Sequence, residues 1–319
     1  MNTNIASAVV LSLLSLLTVY ACYITIGRNF SSADQYIKTI IVFMIITVSM
    51  VFWPLDPGYQ PEWFYFRYLG VFSPNPFHNA TYHAIKPFAI LLFLKFTEIE
   101  DGKREITDYI LLSVFALLGV LAKPSFAFVF FPVMAVVVFA DIFREKGFTK
   151  HIWFMAIAMI PSAIALIYQY LSVFETSDSE GGIHLGMAVA WHVWTRGIKM
   201  AFLKANFFPL IFLLLHCKDF IKNRFLRFSW YSHIVGTLSF LFLYEGGFRL
   251  NDANFSWGYM HGLFFVFMTS IVLLFKSLYE NKKHTKWQDI LSLVCLVPHV
   301  ICGVVYFYYV LLGNNPVLF

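Results

Sequence analysis

Lys123 stands alone between two apolar stretches, in Gly119-Val120-Leu121-Ala122-Lys123-Pro124-Ser125-Phe126-Ala127-Phe128. An ionisable group at membrane depth is costly to keep and is usually tied to a task. Such an ammonium can hold the phosphate of a lipid headgroup, or it can snorkel to the interface and anchor a turn. A second stretch with anion chemistry runs Ser73-Pro74-Asn75-Pro76-Phe77-His78-Asn79-Ala80-Thr81-Tyr82. If it opens a helix, free N–H groups and the partial positive charge of the helix start favour an anion. His78, Asn79 and, about two turns further on, Lys86 add side-chain donors. The same residues also read as a proline-rich helix start capped by an asparagine.

General acid–base chemistry needs a carboxylate, and three positions offer one at the end of an apolar run. Asp56 lies among prolines, Glu62 follows in the same segment, and Glu245 precedes Gly246-Gly247. Arg249 can hold a phosphate, or it can pair with Glu245 or Asp252. His192 and Arg196, in the amphipathic stretch Trp191-His192-Val193-Trp194-Thr195-Arg196, are further donors. His184 and His192 have no metal-ligand spacing with an acid on one helix face. No metal ligands are therefore assigned, although a divalent metal held by several loops remains open. There is no Gly-rich phosphate loop, nucleophile elbow or triad. The four cysteines lie in or beside apolar runs without metal spacing and read as small core residues.

The elements that must position these groups are apolar runs. Apolar residues make up 59% of the 319 and charged residues 13%, with a mean hydropathy of +0.70. A soluble domain of this size cannot hide so much apolar surface. About 20 apolar residues cross a bilayer as a helix. The runs near 6–26, 39–55, 82–97, 108–122, 125–142, 152–172, 199–216, 229–244, 257–276 and 288–312 predict an all-α, polytopic membrane protein of about ten spans. They are continuous rather than alternating, which excludes barrel strands. The first run has no basic residue before it and no small-residue cleavage site, so it is expected to remain as a span. Residues 108–142 are expected to form two short helices joined by a turn at Pro124 rather than one long one. No repeat or separate soluble domain interrupts the chain, so residues 1–319 are expected to form a single transmembrane domain.

Fifteen of the 23 Lys and Arg residues fall in Arg28–Lys38, Lys103–Arg104, Arg144–Lys150, Lys218–Arg227 and Lys276–Lys286. Each segment joins two apolar runs, and such basic loops stay on the cytoplasmic side. The segments 56–81, 123–125, 173–198 and 245–256, with both termini, are then expected outside, where any chemistry would occur. The net charge of +5 belongs to the inner loops and calls for no nucleic-acid partner.

Residues 39–150 resemble the polytopic glycosyltransferases of the GT-C superfamily. The resemblance rests on Pro76-Phe77-His78-Asn79, then Lys103-Arg104, then Leu121-Ala122-Lys123-Pro124, then Arg144–Lys150. It implies a polyprenyl-phosphate sugar donor used on the outer face of a bacterial cytoplasmic membrane, with surface polysaccharide or glycoconjugate as product. The chain departs from that family after its first run. The segment there, Gly27–Tyr36, is short and, by charge, expected to be cytoplasmic, where the family has a large outer loop carrying the catalytic acid. Asp56 or Glu62 has then taken over the base, a partner supplies it, or the chain no longer catalyses. In the enzymatic reading the base is Asp56, Glu62 or Glu245, and Lys123, Arg249 or His78 steadies the departing phosphate. The alternatives are a transporter or lipid flippase, a membrane acyltransferase using His78 or His192, and a non-catalytic subunit of an envelope assembly machine. Expected partners are the polyprenyl-phosphate lipid, membrane lipids and proteins of such a machine.

Overall fold

The computed structural model describes residues 3–54, 79–174, 182–195 and 197–312. Asp56, Glu62, His78 and Arg196 lie outside the described residues. The helices are α1 (Thr3–Asn29), α2 (Gln35–Val48), α3 (Ala80–Glu100), α4 (Ile106–Ala122), α5 (Ala127–Arg144) and α6 (Lys150–Phe174). After strand β1 (Ile183–Leu185) come α7 (Val189–Trp194), α8 (Ile198–Ala205), α9 (Phe207–Leu215), α10 (Cys217–Lys222) and α11 (Arg224–Phe242). Strand β2 (Leu243–Glu245) and a 3-10 turn (Gly247–Asp252) lead to α12 (Phe255–Glu280) and α13 (Trp287–Leu311).

Among the described residues the chain is helical as expected, apart from one short antiparallel ribbon. Ile183 faces Glu245, His184 faces Tyr244 and Leu185 faces Leu243. Each of the ten apolar runs overlaps a helix or a bent helix pair. Among the described residues, however, only five helices have the length and composition to cross a bilayer, or six if one bent pair counts as a span. At 14 and 17 residues, α2 and α4 are short of that length. The run expected as one span near 199–216 is α8 and α9, bent by 60°. Pro209 explains the break, because its ring cannot donate a hydrogen bond and crowds the carbonyl four residues earlier, at Ala205. Asn206 recaps the broken end, its Nδ2 donating to Phe202 O at 2.9 Å.

The long helices show apolar surface that water would not tolerate. Along α6, Ile157, Ile160, Ile164, Ile167, Tyr168 and Leu171 form a helical stripe, and every one is more than half exposed. On α5, Val136, Phe139 and Phe143 are 61–69% exposed. A continuous apolar face of this kind is matched by lipid tails, as in an integral membrane protein.

The chain divides into two compact units. The first holds Met1–Ala21, Thr81–Ala190 and Trp230–Gly262, and the second holds Cys22–Ala80, Trp191–Ser229 and Leu263–Phe319. In the first unit α4 packs along α6, and Gln169 Nε2 of α6 donates to the Val120 carbonyl at 3.1 Å. Its core is aromatic. Phe130 meets Phe93, Phe96 and Phe126 with ring centroids 5.1–5.6 Å apart, and Tyr82 meets Trp257 and His261 at 5.2 and 4.7 Å. Lipid tails are as apolar as leucine, so helix association there depends on close packing. Glycines provide it. A Cβ at Gly262 would lie 2.5 Å from His233 Cα, and one at Gly236 would lie 2.7 Å from the Gly258 carbonyl. In the second unit Gly303 of α13 leaves no room for a Cβ beside the Thr47 carbonyl of α2. Phe267 meets Phe208 at a tilt and His299 edge to face in the core of that unit.

Candidate functional site

A cavity of about 370 Å³ opens in the first unit. Its polar lining includes Lys123, Ser125, Gln169, Glu245, Arg249 and Asn254, and its apolar wall includes Phe128, Leu166 and Phe255. Three residues singled out in the sequence, Lys123, Glu245 and Arg249, therefore share one chamber.

Local chemistry explains how each arrives there. A residue before proline is steered into extended backbone, and Lys123, preceding Pro124, has φ −167° and ψ 124°. The helix α4 therefore stops, with Lys123 N–H donating to Gly119 O at 2.9 Å, and the side chain leaves the helix axis. Its Nζ donates to Thr81 Oγ1 at 3.2 Å and sits 5.0 Å from the Trp257 ring centroid. Across the same aromatic pair, the ammonium of buried Lys86 lies 4.7 Å from the Tyr82 ring. An ammonium over an aromatic face gains electrostatic energy without a counter-ion.

Glu245 is the last residue of β2, so the ribbon sets its position. Gly247, at φ 62°, then reverses the chain into the 3-10 turn, which ends at Ala253 in the left-handed region. That turn returns Arg249 to Glu245, with Nε donating to Oε2 at 3.0 Å. Asn254 Nδ2 donates to the same oxygen at 2.6 Å. Arg249 thus takes the structural pairing with Glu245, one of the two partners open to it in the sequence. With both bonds made to the same oxygen, the carboxylate is engaged by an arginine and an amide and is well suited to fix the arginine.

Burial pushes the Lys123 ammonium down from its ordinary 10.5 to about 8, while the charges of Glu245 and Asp252 act in the opposite direction. Losing water destabilises the charged form, and a nearby anion restores it. The chamber therefore holds two cations against one committed carboxylate, beside an apolar wall, an arrangement suited to an anion with an apolar tail.

The other expected positions are dispersed. Asp252 is exposed on the 3-10 turn and reaches the chamber through its charge. Asn79 precedes α3, and His192 is exposed on α7; neither lines the cavity. Reasoning from sequence missed Asn254, Gln169 and Ser125. Asn254 lay within reach, as the polar residue ending a segment that already held Glu245 and Arg249. Gln169 had no such signal, since it sits in an apolar helix far along the chain.

Comparison with known protein families, curated proteins and solved structures returned no match to this chain.

Proposed function

We propose that this protein is a membrane glycosyltransferase-like protein that binds a polyprenyl phosphate at its extracytoplasmic face. The observation that carries the reading is the chamber in which Lys123 and Arg249 stand beside Glu245 against an apolar wall. A phosphate would restore the charge that burial costs Lys123, and the wall would receive the first isoprene units. Positions expected outside, at 123–125, 173–198 and 245–256, contribute together to this chamber, in keeping with a topology of about ten spans and cytoplasmic basic loops.

In sugar transfer an outer carboxylate takes the proton of the acceptor hydroxyl. The hydroxyl oxygen bonds to the anomeric carbon with inversion as the bond from that carbon to the phosphate oxygen breaks. Lys123 and Arg249 stabilise the phosphate that leaves. Asp56 is the first choice of base and Glu62 the next. Glu245, already bonded to Arg249 and Asn254, serves to orient the arginine. The same engagement of Glu245 favours one second reading, a lipid-phosphate-binding subunit of an envelope assembly machine that does not itself catalyse.

The test is binding of a polyprenyl phosphate and of the matching neutral polyprenol to the full chain in nanodiscs. The phosphate is expected to bind at least tenfold more tightly, and Lys123→Ala and Arg249→Ala should each remove most of that preference. Equal binding of phosphate and alcohol would refute the reading. Where binding holds, loss of sugar transfer in Asp56→Asn, against no transfer in the unaltered chain, separates the enzyme from the subunit.

A further inference from the structure

Three buried residues from three helices point at one another elsewhere in the first unit. Glu100 is the last residue of α3, Asp141 lies in the last turn of α5 and His151 is the second residue of α6. Their side chains are 3%, 8% and 3% exposed, and one ligand atom from each lies within 4.8 Å of the others. His151 Nε2 is 3.4 Å from Glu100 Oε1 and 3.7 Å from Asp141 Oδ2. These three atoms are all buried without a hydrogen-bond partner among the described residues. Two carboxylate oxygens and an imidazole nitrogen left in this state are costly.

We infer that Glu100, Asp141 and His151 form a binding site for a first-row divalent cation, with zinc the best fit. The spacings decide between the two ways of neutralising the cluster. An imidazolium hydrogen-bonded to a carboxylate would close to about 2.7–2.9 Å, well inside both observed gaps. A tetrahedral ion with ligands at about 2.0–2.1 Å instead sets those ligands roughly 3.3 Å apart, close to the two distances from His151 Nε2. One imidazole and two carboxylates suit zinc, whereas calcium and magnesium prefer oxygen alone and more of it. The ion's two charges would balance the two carboxylates.

Neighbouring side chains orient two of the three ligands. His151 Nδ1 lies 2.9 Å from the buried Tyr109 Oη. That contact leaves Nε2 free of a proton when Nδ1–H donates to the phenol. Asp141 Oδ1 accepts from Arg144 Nη1 at 3.1 Å, holding the carboxylate so that Oδ2 faces the cluster. A cavity of about 280 Å³, lined by Tyr109, Thr149 and His151 and by the paired Arg104 and Glu145, lies beside the cluster. The ion would fasten the ends of α3 and α5 to the start of α6.

The test uses the full chain, purified in detergent without a histidine tag and stripped with a chelator. After dialysis against zinc, elemental analysis is expected to give one zinc per chain, falling at least fivefold in the isosteric Glu100→Gln/Asp141→Asn double variant. Cobalt added to the stripped wild-type chain should produce the strong visible absorption of a tetrahedral site, and one equivalent of zinc should abolish it. The cobalt experiment needs no variant to fold. Zinc retention equal in wild type and variant, or no tetrahedral cobalt spectrum, would overturn the site.

Discussion

The charge on Lys123 makes the proposed phosphate binding depend on pH in a way that is specific to this one side chain. Its ammonium titrates at about 8, so roughly nine tenths of it is charged at pH 7 and roughly one tenth at pH 9. If only the charged form holds the phosphate, and the bound phosphate keeps it charged, affinity falls about tenfold between those two values. That is about 1.4 kcal/mol. The phosphate itself gains charge toward alkaline pH, which would strengthen binding and mask the fall. The comparison is therefore with Lys123→Arg, whose guanidinium stays charged throughout and which shares the ligand's own titration. The assay is equilibrium binding of a polyprenyl phosphate in nanodiscs at half-unit steps from pH 6.5 to 9.5, at constant ionic strength. The ratio of wild-type to Lys123→Arg affinity should drop about tenfold between pH 7 and 9, reaching half its low-pH value near pH 8. Parallel profiles for the two proteins would show that Lys123 does not hold the phosphate, whatever the absolute affinities.

Three further outcomes follow from the same geometry. The charge of Glu245 holds the Lys123 midpoint up, so Glu245→Gln should move it to lower pH in that binding profile, and an unmoved midpoint would separate the two residues. Lys123 also couples pH to stability. Its folded value lies below its unfolded 10.5, so between about 8 and 10.5 the unfolded chain holds more protons than the folded one, and stability rises with pH across that window. Thermal melts should show this rise in wild type and lose it in Lys123→Met. In the second unit, Gly303→Ala forces a Cβ against the Thr47 carbonyl and should destabilise by about 1–3 kcal/mol. Gly197→Ala, which meets nothing within 4 Å but sits at the N-cap of α8, should cost less than about 1 kcal/mol.

The parts of this protein legible in its sequence are those fixed over a few neighbouring residues. Pro124 forces Lys123 out of the helix, and the stop between α4 and α5 could be read from that pair alone. The pairing of Arg249 with Glu245 spans four residues and was one of two local choices. The apolar runs announced helices for the same reason, since a run's composition is a local property. Where a helix bends is less local: the break at Asn206 depends on Pro209 acting one turn back, inside a stretch whose hydropathy never falters. Least legible were groups whose chemistry exists only after folding. Glu100 lies on a different helix far before Asp141 and His151 in the chain, and each of the three looks like an ordinary loop-flanking charge until three helix ends bring them together. The helix α4 connects the two places that matter most. Tyr109 near its start steadies His151, and Lys123 at its end faces the phosphate chamber, roughly 20 Å away at the helical rise. A bound cation would thus fix one end of the element whose other end presents the lysine. Zinc removal is therefore expected to weaken polyprenyl phosphate binding in wild type and to leave the Glu100→Gln/Asp141→Asn variant unaffected. Equal affinity of the stripped and zinc-loaded wild-type chain would show that the two sites act independently.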